Sequence, residues 1–306
     1  MNTGIQTETV ATVSSALKDA AARLSAAGIG GARLDAEILL GEALGIERGK
    51  IYLNNDRALD DAELARFRSL IARRASGEPV SYITGRREFW SLDLIVNPAV
   101  LAPRPETELL VETALGFARR YRVKDRRLRI LDVGTGSGAI AVALAEEIPA
   151  AEVWASDISS DALEVARNNA RRHNVEQKIR FLAGDLFAPV AEMAGGFDLI
   201  VSNPPYIRSG ELATLPRDVR DYEPRLALDG GADGLDFYRR IAREAPRYLS
   251  AGGFLAVEIG AGMGEEVARL FAAAGFSSVR VDKDLAGSER VVSASFDKLR
   301  MNGSNG

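Results

Sequence analysis

Ile130-Leu131-Asp132-Val133-Gly134-Thr135-Gly136-Ser137-Gly138 is an apolar run that ends in three alternate glycines and passes directly into the helix-spaced stretch Ala139 to Glu147. A strand, a tight turn and a helix in that order open a doubly wound α/β sheet, with the turn at the carboxyl end of the strand, where such sheets bind ligands. Glycine suits the turn because the backbone must bend sharply and a ligand must approach where a side chain would collide. The turn alone does not fix the ligand, since nicotinamide and flavin enzymes use the related G-x-G-x-x-G.

Outward from the turn, strands alternate with helices. Strands are expected at Arg129 to Val133, Glu152 to Ser156, Lys178 to Ala183, Phe197 to Ser202 and Gly253 to Ile259, and the alternation implies a parallel sheet covered on both faces. Ser278 to Val281 and Arg290 to Phe296 lie too close together for a crossover helix, so they pair antiparallel. The expected fold class is α/β: a doubly wound, Rossmann-like, seven-stranded methyltransferase sheet with an antiparallel C-terminal strand pair, preceded by a small helical bundle.

The bundle is read from helical spacing between about Thr9 and Gly77. Leu17, Ala20, Ala21 and Leu24 form one stripe, Leu34, Ile38, Ala43 and Leu44 a second, and Leu64, Phe67 and Ile71 a third, with Asp60 and Glu63 as a capping box. Such a bundle serves either stability or dimerisation, or the docking of a macromolecular substrate; its pattern does not choose. Phe89 to Val96 loses the helical period and reads as a hairpin. The expected organisation is a helical domain over 1–85, a β-hairpin linker over 86–102, a methyltransferase domain over 103–298 and a polar tail over 299–306.

Bulk properties narrow the function. A chain of 306 residues with 46% hydrophobic and 27% charged residues is globular and long enough for two domains. The absence of cysteine removes disulfides, thiolate nucleophiles and cysteine-based metal sites together, and no metal is expected. His173, the single histidine, lies in Arg171-Arg172-His173-Asn174 and reads as the solvated end of a helix rather than a base. A net charge of −4 opposes sequence-independent attraction to nucleic acid, and the basic stretch Arg119 to Arg129 reads as a solvated linker. No apolar run spans a bilayer, and Met1 to Val10 does not read as a signal peptide, so a monomeric cytoplasmic enzyme is expected, with no membrane partner.

Two acids sharpen the ligand. Asp157 follows the glycine turn by about twenty residues at the end of the second strand, the position that reaches ribose hydroxyls. Asp185, in Gly184-Asp185-Leu186-Phe187, is placed to accept from an adenine amino group while Leu186 packs on the ring, although an N-capping role for Asp185 fits its position equally. The G-x-G-x-G spacing, with Asp132 two residues before the first glycine, favours S-adenosylmethionine over a dinucleotide.

Asn203-Pro204-Pro205-Tyr206 follows the fourth strand. A specified tetrapeptide of this kind arises by chance in a chain of this size about once in a thousand. Its place at a strand's carboxyl end points it at the methyl donor. An amide nitrogen is a poor nucleophile, because its lone pair is delocalised into the carbonyl by the resonance that gives peptide bonds a rotation barrier of about 18–20 kcal/mol. The Asn203 side-chain oxygen and the Pro204 carbonyl can each accept one hydrogen of such a group, from a turn stiffened by two prolines. That grip favours pyramidal character at nitrogen and aligns it for in-line transfer, with Tyr206 against the planar group.

With these motifs the chain resembles the HemK-type peptide chain release factor glutamine N5-methyltransferases. Gly85-Arg86-Arg87-Glu88-Phe89-Trp90, Pro103-Arg104-Pro105-Glu106-Thr107-Glu108, Tyr222-Glu223-Pro224 and Glu289-Arg290-Val291 extend the likeness along nearly the whole chain. The resemblance implies methyl transfer to the glutamine of a Gly-Gly-Gln loop in the release factors, and a bundle that helps dock that protein. It also implies that Gly134, Thr135, Gly136, Ser137, Gly138, Asp157 and Asn203 hold the cofactor and that Asn203 to Tyr206 hold the glutamine, with Arg104 and Glu106 near the substrate loop. Leu186 stands where some members carry an aromatic residue. The alternative is an adenine N6-methyltransferase acting on nucleic acid, which needs the same tetrapeptide chemistry; the acidic balance and modest aromatic content oppose it.

Overall fold

The computed structural model describes residues 11–121 and 126–297, so the expected polar tail over 299–306 lies outside the described residues. They form two compact units, one running to Gly85 and including Arg217–Tyr222, the other comprising Arg86–Pro216 and the chain from Glu223 onward.

The smaller unit holds α1 (Val13–Ala26), α2 (Ala32–Leu44), α3 (Arg48–Ile51), α4 (Asp61–Ala75) and α5 (Val80–Thr84). The capping box at α4 forms: the Glu63 amide donates to Asp60 Oδ1 at 2.8 Å and the Asp60 amide donates to Glu63 Oε2 at 3.1 Å. Leu17, Leu24, Leu39, Leu40, Ile51, Phe67 and Ile71 are buried together, and truncating any of the leucines to alanine costs about 2–5 kcal/mol. The stripe expected on α2 is corrected. Leu34 is exposed and Ile38 and Leu44 are half-buried, while Ala36, Leu39, Leu40 and Ala43 face the core. Apolar residues lie on more than one side of this helix, so spacing alone does not disclose the packed side. The Arg74 guanidinium, nearly buried, donates to Asp35 at 2.7 Å and stands 3.9 Å from Asp218, which ties Arg217–Tyr222 into this unit.

The larger unit opens with β1 (Arg86–Phe89) and β2 (Leu92–Ile95), an antiparallel hairpin. The stretch expected as a linker is instead built into the core, where Phe89 and Leu94 are buried. Asn169 clamps the hairpin, accepting from the Ile95 amide at 2.7 Å and donating to the Ile95 carbonyl at 2.9 Å. His173 is half-buried rather than solvated, its Nε2 lying 3.1 Å from the Asp93 carbonyl.

There follow α6 (Glu108–Arg120), β3 (Leu128–Val133), α7 (Ala139–Glu147), β4 (Ala151–Asp157), α8 (Ser160–Arg172), β5 (Ile179–Ala183), β6 (Phe197–Ser202) and α9 (Arg217–Arg220), the last within the smaller unit. The chain continues with α10 (Asp236–Tyr248), β7 (Leu249–Glu258), α11 (Gly264–Ala273), β8 (Ser277–Lys283) and β9 (Glu289–Phe296). The sheet order is β5-β4-β3-β6-β7-β9-β8, parallel from β5 to β7 and antiparallel where β9 meets β7 and β8. The seven-stranded methyltransferase sheet expected from the sequence is therefore present. Strand ends move slightly: Lys178 ends a 3-10 turn rather than starting β5, and β7 begins at Leu249.

Helices α6 and α7 pack one face of the sheet and α10 and α11 the other, each over its own apolar cluster. Part of the basic stretch read as a solvated linker is also corrected. Arg126 donates twice to the fully buried Asp198, at 2.6 Å each, and the Arg129 amide and Ser250 hydroxyl add donors at 3.0 and 2.9 Å. Burial works to raise the Asp198 carboxyl, but these donors hold it below the usual carboxylate range.

Candidate active site

Strand register sets the site. Val133 at the end of β3 lies beside Ser156 on one side and Ser202 on the other, Asp157 beside Ala183, and Ser202 beside Val257. The chain therefore leaves the sheet at one level five times in a row: at Gly184, at Asp157, at Gly134, at Asn203 and at Glu258. The sequence order folds back between β3 and β6, and such a switch point opens a crevice at the strand ends.

The glycine turn is held from β4. The amides of Gly134 and Thr135 donate to the Ser156 carbonyl at 2.8 and 2.9 Å, and Gly136 donates to Asp157 Oδ2 at 2.8 Å. Asp157 Oδ1 accepts from the Ser159 amide at 2.9 Å, so backbone donors from both the glycine turn and the following segment hold the carboxylate in place. Gly134 and Gly136 have φ of +72° and +54°, and a Cβ added to either meets nothing within 4 Å. Gly138 differs: at φ +80° its Cβ would lie 2.9 Å from Ala166 Cβ, so this glycine lets α7 pack against α8.

A cavity of about 310 Å³ opens beyond this turn. Gly134, Thr135, Gly136, Ser137 and Asp157 line it, as do Asp185, Leu186, Arg104, Asn203, Pro204 and Pro205. Gly138, Tyr206 and Glu106 lie outside that lining. Tyr206 packs instead against Gly260 and Met263, and burial pushes its hydroxyl up to about 12. Glu106 stands 4.0 Å from Arg290. Asp185 is engaged by Arg240 at 2.5 Å, while Leu186, buried at φ +46°, faces the cavity. Arg104 donates to both oxygens of buried Glu223, at 2.8 and 2.7 Å.

Three buried groups to which the sequence assigned no role adjoin the cavity: Thr107 lines it, and Asp132 on β3 and Glu258 on β7 stand behind its lining. Asp132 is fully buried, accepts from the Thr135 hydroxyl at 2.6 Å, and is pushed up to about 7 by burial, with the nearby Asp157 charge adding to the shift. Glu258 is 2% exposed and is likewise pushed up to about 7 by burial. Thr107, 4% exposed, accepts from Asn203 Nδ2 at 3.3 Å. The clue to Glu258 was present: Phe254-Leu255-Ala256-Val257-Glu258 is an apolar strand ending in an acid, the same signal that marks Asp157.

The chemistry of this lining fits an adenosine-bearing methyl donor: a carboxylate at a strand end, apolar Leu186 and Ile158, and a backbone turn that leaves room for close approach. Asn203 and Pro204 border the same cavity.

The chain is similar to known proteins over most of its length. Residues 15–85 match the PrmC N-terminal domain family and residues 107–217 the methyltransferase small domain family. The release factor glutamine methyltransferase of Geobacter sulfurreducens is 46% identical over 269 residues, covering 88% of this chain and 91% of that protein. That of Nitratidesulfovibrio vulgaris is 44% identical over 292 residues, covering 95% and 97%. Among solved structures, the catalytic domain of hMettl16 in complex with MAT2A 3'UTR hairpin 6 aligns with a TM-score of 0.53 at 16% identity, covering 79% of this chain and 85% of that one, which shows the shared fold alone. With the sheet, the strand-end cavity and this similarity over nearly the full length together, the chain belongs to the release factor glutamine methyltransferase family.

Proposed function

We infer that the protein transfers a methyl group from S-adenosylmethionine to the side-chain amide nitrogen, N5, of the glutamine in the Gly-Gly-Gln loop of peptide chain release factors; the sulfonium C–S bond breaks as the N–C bond forms, leaving S-adenosylhomocysteine, and one amide proton passes to solvent. The observation that carries this is the placement of Asn203 and Pro204 in the same cavity as the glycine turn and Asp157. The donor, when bound, supplies a sulfonium methyl group. The protein's own part is positioning. Asp157 accepts from the ribose hydroxyls, and Leu186 packs on the adenine ring. Asp185, already engaged by Arg240, retains acceptor capacity for the adenine amino group.

On the other side Asn203 Oδ1 and the Pro204 carbonyl accept the two amide hydrogens, so that the nitrogen lone pair is aimed along the line of attack. The Ser202 hydroxyl donates to the Val133 carbonyl at 2.7 Å and locks this turn to the strand that carries the glycines. Tyr206, behind the prolines, braces the turn from the core side, and Arg104, fixed by Glu223, borders the cavity for the substrate loop. The helical unit docks the release factor, and the chain acts as a monomer on a protein rather than on nucleic acid.

The deciding experiment incubates the protein with labelled donor and, in parallel, a purified release factor and a DNA duplex. Label on the release factor glutamine is the expected result. Label on adenine of the duplex, with none on the release factor, assigns the tetrapeptide to nucleic acid instead.

A further inference from the structure

We propose that Glu258 is a positioning residue whose buried carboxylate, acting with the Thr107 hydroxyl, fixes which end of the Asn203 side chain faces the cavity, and thereby makes Asn203 an acceptor. This rests on the methyl transfer proposed above.

The register places the two side by side: Ser202 pairs with Val257, so Asn203 and Glu258 leave neighbouring strands at one level. Glu258 does not line the cavity, and its Oε2 is buried without a hydrogen-bond partner among the described residues. The Glu258 backbone is pinned by Tyr238, whose hydroxyl donates to its carbonyl at 2.8 Å. A buried acid left half-satisfied costs stability, so its retention under a reactive turn calls for a role. Asn203 Nδ2 donates to Thr107 Oγ1 at 3.3 Å, and the Thr107 hydroxyl and the Asn203 amide both favour the ionised form of Glu258.

An ionised carboxylate only accepts hydrogen bonds. Against it the Thr107 hydroxyl must donate and the Asn203 amino end must turn inward, which leaves Oδ1 outward for a substrate N–H. A protonated Glu258 can donate, and then stabilises the flipped amide, whose amino group meets the substrate's own N–H groups. The ionised form is therefore the active one. The other groups facing Glu258 are Glu106 and Arg290, whose charges oppose one another, and the hydroxyls of Tyr206 and Tyr238. Because burial holds the Glu258 proton up to about pH 7, the switch falls near neutrality.

The test uses the full chain as wild type, Glu258→Gln, Thr107→Val and, as the conservative rescue, Thr107→Ser. Side-chain amide signals are followed by NMR on protein labelled with 15N-asparagine, the Asn203 pair being assigned by its loss in Asn203→Ala. The Asn203 signals should titrate with a midpoint near 7 in wild type and stay flat in Glu258→Gln, a readout that needs no methyl acceptor and so stands even if the substrate assignment fails. With a purified release factor, wild-type kcat should rise about tenfold per pH unit below that midpoint, and Glu258→Gln should flatten the profile and lower kcat at pH 8 about tenfold or more while donor Kd changes less than about threefold. Thr107→Val should follow Glu258→Gln and Thr107→Ser should follow wild type. Asn203 signals that do not titrate in wild type, or that titrate unchanged in Glu258→Gln, overturn the proposal.

Discussion

The two sides of the cavity are built by different means. On the donor side, the turn from Gly134 to Gly138 is held by backbone hydrogen bonds to β4 and by one carboxylate, Asp157, that accepts from the Gly136 amide. On the acceptor side, Asn203 is held by a side chain brought from 96 residues away, Thr107, over the buried acid Glu258. The first arrangement depends on conformation and tolerates few changes of shape; the second depends on the identity of individual polar groups.

Asn203→Ala should give the largest effect, since it removes the acceptor that the proposed mechanism uses in the transition state. Single-turnover methyl transfer should fall roughly a hundredfold to a thousandfold, with donor Kd by calorimetry within about threefold of wild type. A kcat near wild type would remove the distinction between the sides. Asp157→Ala should do the reverse, weakening donor binding about tenfold or more, because it costs the ribose hydroxyls their acceptor and the Gly136 and Ser159 amides theirs. An unchanged donor Kd would take Asp157 out of the ribose site.

The glycines divide the donor side further. Gly138→Ala drives a Cβ to 2.9 Å from Ala166 and should destabilise the fold by about 2–4 kcal/mol, read as a lowered Tm. Gly134→Ala meets open space, so it should cost the fold only about 1–2 kcal/mol of left-handed strain while the added methyl weakens donor binding. Equal losses of Tm in the two variants would contradict the division.

A further contrast is in stability against pH. Burial raises Glu258 from 4.5 to about 7 and Asp132 from 3.8 to about 7. Below about pH 4 folded and unfolded chains both hold these protons. Between about 4 and 7 the unfolded chain has released them and the folded protein has not, so folding stability falls as pH rises, by about 3–4 kcal/mol per group. Denaturant titrations at pH 5 and 7.5 should show the fall, and Glu258→Gln should shrink it. Stability and the active ionisation state of Glu258 therefore change in opposite directions across neutrality.

What the sequence discloses follows the same division. The glycine turn, Asp157 and Asn203-Pro204-Pro205-Tyr206 are each local patterns, and the alternation of strands delivers them to one edge of the sheet. Contacts between distant segments leave no such trace: Asp185 meets Arg240 55 residues on, Arg126 meets Asp198 72 residues on, and Thr107 meets Asn203. Gly138 reads as part of the ligand turn because spacing does not distinguish room for a ligand from room for a helix. The packed side of α2 stays hidden for a related reason, since Leu34 and Leu39 are equally apolar in sequence and only the neighbouring helices choose between them. The hairpin reads as a linker because the Asn169 clamp lies 74 residues away from Ile95.

The central claim is that the cavity grips a carboxamide through both of its hydrogens. The most direct measurement compares release factors carrying glutamine or glutamate at the loop position, with the methyl located by tandem mass spectrometry after a single turnover. Transfer to glutamine alone is the predicted result, because a glutamate side chain offers Asn203 and Pro204 no N–H to accept. Methylation of the glutamate at a comparable rate, or of another residue in the glutamine protein, would contradict it.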